Sequence, residues 1–154
     1  MVELTSVLDR AGVEYELLSH AHTERAVDEA EVLGLPPRAV AKTLVLTTEE
    51  GYVRVVLPAS ERIDLRKVRD HVEGGKENVR LATEFELAGD YPEFELGAIP
   101  PFGGPSDRVL VDPRVAEQPS VVLEAGTHEQ SVRLATAELL GLTKAEVVDV
   151  CKEE

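Results

Sequence analysis

The 154 residues suffice for one domain with one core, and a hydrophobic share of 43% beside a charged share of 30% is that of a folded globular chain. A formal charge of −14 argues against extensive contact with a phosphate backbone, and the single cysteine, Cys151, excludes an internal disulfide or a thiolate metal cluster. No apolar run reaches membrane-spanning length, and the Met-Val-Glu-Leu-Thr-Ser start lacks the basic and apolar regions of a signal peptide, so a cytoplasmic protein without membrane contact is expected.

Val2, Leu4, Val7, Leu8 and Ala11 recur at helical spacing until Gly12, which predicts a first helix. Val13, Tyr15 and Leu17 alternate with Glu14 and Glu16, the period of a half-buried strand that ends near His20-Ala21-His22. A second helix is expected to begin near Thr23 or shortly after it and to run to Gly34, with acids in its first turns. After Pro36-Pro37, Val40–Thr48 and Val53–Leu57 flank Glu50-Gly51 and read as a hairpin.

Leu65–Val72 reads as a short basic helix with Asp64 as its cap. It belongs to a window, residues 62 to 80, that holds six bases (Arg62, Arg66, Lys67, Arg69, Lys76 and Arg80) against four acids; most such windows are solvated faces, and a nucleic-acid footprint is the sharper alternative. A short strand at Val79–Ala82 and a helical turn opening at Thr83 follow. Val109–Val111, Val121–Leu123 and Val132–Leu134 are predicted strands, and Thr136–Leu140 and Lys144–Val150 predicted helices, Cys151 being a chance residue of the last. Without strict alternation, repeats or linker composition, the expected class is α+β, or mixed α/β, in one domain.

Three segments stand apart from this framework. Leu96-Gly-Ala-Ile-Pro-Pro-Phe-Gly-Gly104 combines two prolines, which fix their own φ, with glycines that allow tight turns, and it carries Ile99 and Phe102 where an ordinary loop is polar. Lys42 lies inside the apolar run Val40–Leu46, where a cation must snorkel to water, meet an anion or line a cavity; Thr43 presents a hydroxyl to the other face. Glu124–Ser131 places small and polar residues between two strands, with Gly126 permitting close approach of a ligand.

The usual catalytic motifs are missing. His20 and His22 are two apart on a strand end and point to opposite faces, a poor metal pair, and the sequence holds no nucleophile elbow, Walker loop or dinucleotide-binding glycine pattern. No cofactor and no metal are expected. His128 is a candidate general base, although a histidine in a polar loop more often has a hydrogen-bonding role.

Val-Ala-Lys42-Thr-Leu, Leu-Gly97-Ala-Ile-Pro-Pro-Phe-Gly and Glu124-Ala-Gly-Thr-His-Glu-Gln-Ser-Val, in this order, resemble the YbaK family of aminoacyl-tRNA deacylases and the editing domain inserted in bacterial prolyl-tRNA synthetases. The resemblance runs over nearly the whole chain. It implies a compact mixed, largely antiparallel sheet flanked by helices, residues 1–154 forming one editing domain. The activity it implies is hydrolysis, in trans, of the ester of a mischarged small amino acid, such as cysteine or alanine on proline tRNA. The partner is then the aminoacyl-tRNA 3′ end, with prolyl-tRNA synthetase a candidate second partner; a non-catalytic module binding a tRNA end, nucleotide or synthetase is the alternative.

By the same resemblance Lys42 holds the terminal nucleotide and Gly97 opens the loop that receives the aminoacyl group. His20, Thr23, Thr43, Ala98, Ile99, Pro100, Pro101, Gly126, Thr127 and Ser131 fall at substrate-binding positions. Two departures bear on amino-acid specificity: Gly103-Gly104-Pro105 replaces a basic pair that follows the loop in Cys-tRNA deacylases, and Glu124 replaces a small hydroxyl residue.

Overall fold

The structure is a computed structural model and describes residues 4–49, 51–72, 79–103 and 107–153. The chain runs α1 (Leu4–Ala11), β1 (Tyr15–Ser19), α2 (Ala26–Leu33), a 3-10 turn (Pro37–Ala39), β2 (Ala41–Thr48), β3 (Gly51–Pro58), α3 (Leu65–His71) and β4 (Arg80–Leu81). It continues through α4 (Glu84–Asp90), β5 (Arg108–Val111), α5 (Pro113–Ala116), β6 (Ser120–Thr127), β7 (Gln130–Ala135), α6 (Thr136–Thr143) and β8 (Glu146–Val147). The fold is α+β, as expected, with the strands divided between two sheets. One is antiparallel in the order β1-β7-β6; the other, β4-β2-β3-β5-β8, is antiparallel at β4-β2-β3 and parallel at β3-β5-β8.

The main core fills the space between the sheets. Ala41, Val56, Val109 and Val111 of the larger sheet meet Val121, Leu123, Val132 and Leu134 of the smaller, and α1, α5 and α6 close the sides with Leu8, Val115 and Leu139. The opposite face of the larger sheet carries Leu46, Val55, Leu57 and Leu110 under Val68 of α3. With both faces covered, β3 is apolar nearly throughout, which makes its one arginine informative.

Local chemistry accounts for most boundaries. Asp64 and Asp112 accept from the amides of Arg66 and Arg114 and cap α3 and α5, and Thr83 and Glu86 form a reciprocal capping box on α4. The helix at α5, absent from the sequence reading, carries the Asp-Pro start that such caps favour.

Three expectations need correction. Leu17 is 42% exposed, and its neighbour Leu18 packs against α2 instead. Helix α2 begins at Ala26, shortly after Thr23 as expected, and Thr23 itself is buried. The hairpin strand β6 extends through Gly126 to Thr127, so most of the presumed loop there is strand. Lys144–Val150 is not helical: Lys144 adopts φ +53° and ends α6, after which Glu146 and Val147 pair with β5. Val148 and Val150 face the core while Val147 is exposed, the period of two of an extended chain. Cys151 is buried and bridges Ile63 rather than ending a helix. Val2, Lys76, Gly104 and Pro105 lie outside the described residues.

Candidate functional site

The first residues of β2 lie at an open edge. Ala59 donates its amide to the Val40 carbonyl, so even-numbered β2 residues pair with β3 and odd-numbered ones point the other way. On that outer side Val45 accepts from Ala82 and Thr47 pairs with Arg80, but β4 reaches no further. Thr43 therefore presents its N–H and C=O at an edge without a strand. A cavity of about 390 Å³ adjoins this edge, bounded among others by Ala26, Lys42, Thr43, Gly97, Ile99 and Glu124. That size suits a small ligand or the end of a larger one.

Lys42 is half-buried, and among the described residues no carboxylate lies within ion-pair distance of it. Burial holds its ammonium below the usual lysine range, with nearby Arg62 acting in the same direction and Glu61 against it. The ammonium is a cation in want of an anion.

The proline-containing loop forms another wall and is held from both sheets. From the smaller sheet, a register shift between Glu124 and Thr127 releases Gly126 from β7. The Gly126 amide then donates to the Ala98 carbonyl (3.1 Å), and the Glu95 amide donates to the Gly126 carbonyl (2.8 Å). Gly126 has φ +91°, and a Cβ there would lie 2.9 Å from the Phe94 ring. The glycine thus admits Phe94 and the loop, where the sequence reading expected a ligand. Gly97, at φ +83°, lies against His128, whose Cε1 would be 3.3 Å from an added Cβ; His128 Nε2 donates to the Leu96 carbonyl (2.6 Å).

From the larger sheet comes Arg54, 1% exposed, on the β3 face that also carries Val56. Its guanidinium donates to the carbonyls of Pro100 (2.7 Å) and Gly103 (2.6 Å) and to the Asp107 carboxylate (2.8 Å), and it lies 4.9 Å from the centre of the Tyr91 ring. The Tyr91 hydroxyl also donates to Asp107, and burial raises its pKa. The stiffness expected of Pro100 and Pro101 therefore has a second source.

Behind the cavity lies a polar cluster. His20 Nδ1 donates to the Ala21 carbonyl (2.7 Å), and its Nε2 shares a hydrogen bond with Ser131 Oγ (2.8 Å). Ser131 Oγ in turn donates to the carboxylate of the fully buried Glu29. Burial raises the Glu29 pKa to about 7, and the hydrogen bond donated by Ser131 opposes that rise. Glu124, opposite Ser131 across the β6–β7 ladder, is pushed to about 9 by burial and then by Glu29, Glu24 and Glu95. Its Oε2 lies 3.1 Å from His128 Nδ1, yet neither atom has a hydrogen bond there.

Of the residues singled out in the sequence, Lys42, Thr43, Gly97 and Ile99 bound the cavity. His20 and Ser131 belong to the cluster behind it, Ala98, Pro100 and Gly126 fix the loop through their backbone, and Pro101 is buried within it. Thr23 donates its amide to the His128 carbonyl, and Thr127 accepts from the Glu129 amide in the hairpin turn. His22 parts from His20, bonding Glu24 while its ring lies 5.2 Å from that of His128. Among the described residues no group of three or more His, Cys, Asp or Glu side chains is placed to hold a metal ion. Arg54 and Glu29 escaped the sequence reading. Arg54 carried a usable signal, since it interrupts an apolar strand just as Lys42 does.

A family model of the aminoacyl-tRNA editing domain matches residues 20–142, which contain the cavity, the loop and the cluster. The chain belongs to this family. Among curated relatives of the editing domain it is 30% identical over 106 residues to proline–tRNA ligase 1 of Streptomyces avermitilis, covering 67% of the chain, and 25% identical over 107 residues to proline–tRNA ligase of Thermosipho melanesiensis, covering 69%. The aligned region spans only 18% of the length of each ligase. A crystal structure described as a candidate trans-editing enzyme for prolyl tRNA synthetase superposes with a TM-score of 0.87 at 27% identity, covering 97% of this chain and 95% of that one. No helix among the described residues is long and apolar enough to cross a membrane.

Proposed function

We propose that this editing domain, residues 1–154, hydrolyses the ester between a small, wrongly attached amino acid and the 3′ end of a tRNA, acting in trans in the cytoplasm and with proline tRNA as the first candidate. The observation that supports this reading best is the pairing of an unmatched cation, Lys42, with the open backbone edge at Thr43, beside a loop fixed in place. Lys42 would take a terminal phosphate, and Thr43 and the Gly97 loop would hold the aminoacyl group. An aminoacyl ester is already activated and carries a vicinal ribose hydroxyl that can orient water or carry a proton, so holding the ester in position is the protein's principal task. A cavity of limited size would exclude larger side chains, which is what a second sieve requires.

The test is a deacylation screen over tRNAs mischarged with alanine, cysteine, serine and other small amino acids, with and without prolyl-tRNA synthetase. At least one ester should be cleared, and Lys42→Ala should abolish the activity with an unchanged melting temperature. Binding of tRNA ends without hydrolysis of any ester would replace this reading by that of a recognition module.

A further inference from the structure

Glu124 is the one carboxylate at the cavity that is both nine-tenths buried and without a hydrogen bond at an oxygen among the described residues; Glu24, also at the cavity, is exposed and bonded to His22. Arg25, the other cation there, is tied to Asp28 by two hydrogen bonds. The cavity thus offers one uncommitted cation, Lys42, and one uncommitted carboxyl group, Glu124. A ligand complementary to both carries an anion and a cation.

Resting on the editing function proposed above, we propose that Glu124 binds the α-ammonium group of the aminoacyl ester, so that the site accepts amino acids with a free amine and rejects those whose amine is acylated. An N-acyl group removes the positive charge and adds bulk against the Glu124 wall. The electrostatics point the same way: Glu29, Glu24 and Glu95 all oppose ionisation of Glu124, so its surroundings favour an incoming positive charge. On arrival of the ammonium the carboxyl proton leaves to solvent and a charge-assisted hydrogen bond takes its place. His128, 3.1 Å from Glu124, keeps its bond to the Leu96 carbonyl and with it the position of the loop.

The test uses binding, so that it stands apart from hydrolysis. Adenosine 5′-monophosphate carrying alanine through a stable 3′-amide, and the N-acetyl form of the same compound, are titrated into the wild type, Glu124→Gln and Glu124→Ser at neutral pH. The wild type should prefer the free amine by about tenfold or more, and both variants should lose most of that preference while melting at or above the wild-type temperature. Equal affinity of the wild type for the two compounds, no binding of either, or a preference that survives in both variants would overturn the assignment. A preference lost in the variants, in a protein that clears no ester in the deacylation screen, would sustain the role of Glu124 and discard hydrolysis.

Discussion

Arg54 satisfies two loop carbonyls and the Asp107 carboxylate from a position with almost no exposure to water. Arg54→Met keeps the bulk, leaves the two carbonyls unpaired and strips the buried Asp107 of its cation, so a loss of about 3–5 kcal/mol in unfolding free energy is expected from urea denaturation. Glu29 acts in the opposite sense. Its carboxyl, held up at about 7, keeps a proton in the folded state over a range where the unfolded chain has released it, so its contribution to stability declines as pH rises from the ordinary carboxyl range through about 7. Glu29→Gln should therefore melt close to the wild type at pH 4 and above it at pH 8; a difference independent of pH would show that Glu29 is ionised in the fold. At this scale the sequence exposed Lys42, because a cation in an apolar strand is conspicuous, but Arg54 met the same criterion and its role depended on a loop some fifty residues further on, which no local pattern reveals.

At the scale of elements, the bond pair between Gly126 and the 95–98 segment joins a strand to a loop and depends on an absent side chain. Gly126→Ala places a Cβ 2.9 Å from Phe94 and imposes a left-handed conformation on alanine. The expected result is destabilisation of about 1–3 kcal/mol, with faster hydrogen exchange at the amides of residues 95 and 126 and protection unchanged in the β2–β3 hairpin. The β2–β3 hairpin and the cap on α3 were legible in the sequence because adjacent residues determine them. The β8 segment was not: its alternating valines became a strand only because β5 offers a parallel edge, a partner more than thirty residues earlier in the chain. The limits of β6 were hidden for a similar reason, since the bulge that continues it past Glu124 is stabilised by the loop.

For the whole molecule, a charge of −14 would meet an anionic ligand under the proposed function, so contact should be confined to the tRNA end. The basic window contributes less than its composition promised: Lys67 bonds Asp149 and the Cys151 carbonyl, Arg80 bonds Glu86, and the depression of about 820 Å³ beside α3 contains acids as well as bases. Filter-binding or fluorescence titrations should give a log–log salt slope of magnitude no more than about 2–3, whereas a slope typical of six or more phosphates would require a footprint that the end-gripping arrangement lacks. Arg66→Glu should weaken binding, while Lys67→Glu should chiefly lower the melting temperature. The α+β class was readable from unalternated patterns, but the division into two sheets was not, because periodicity reports which face is buried and not against which partner. That division gives the loop its place. Fastened by Arg54 to one sheet and by Gly126 and His128 to the other, it has no separate route to melting: freeing it requires releasing bonds to both layers, so the cavity wall should open only in the same cooperative event that parts the sheets, and a ligand bound there would raise the melting point of the entire fold.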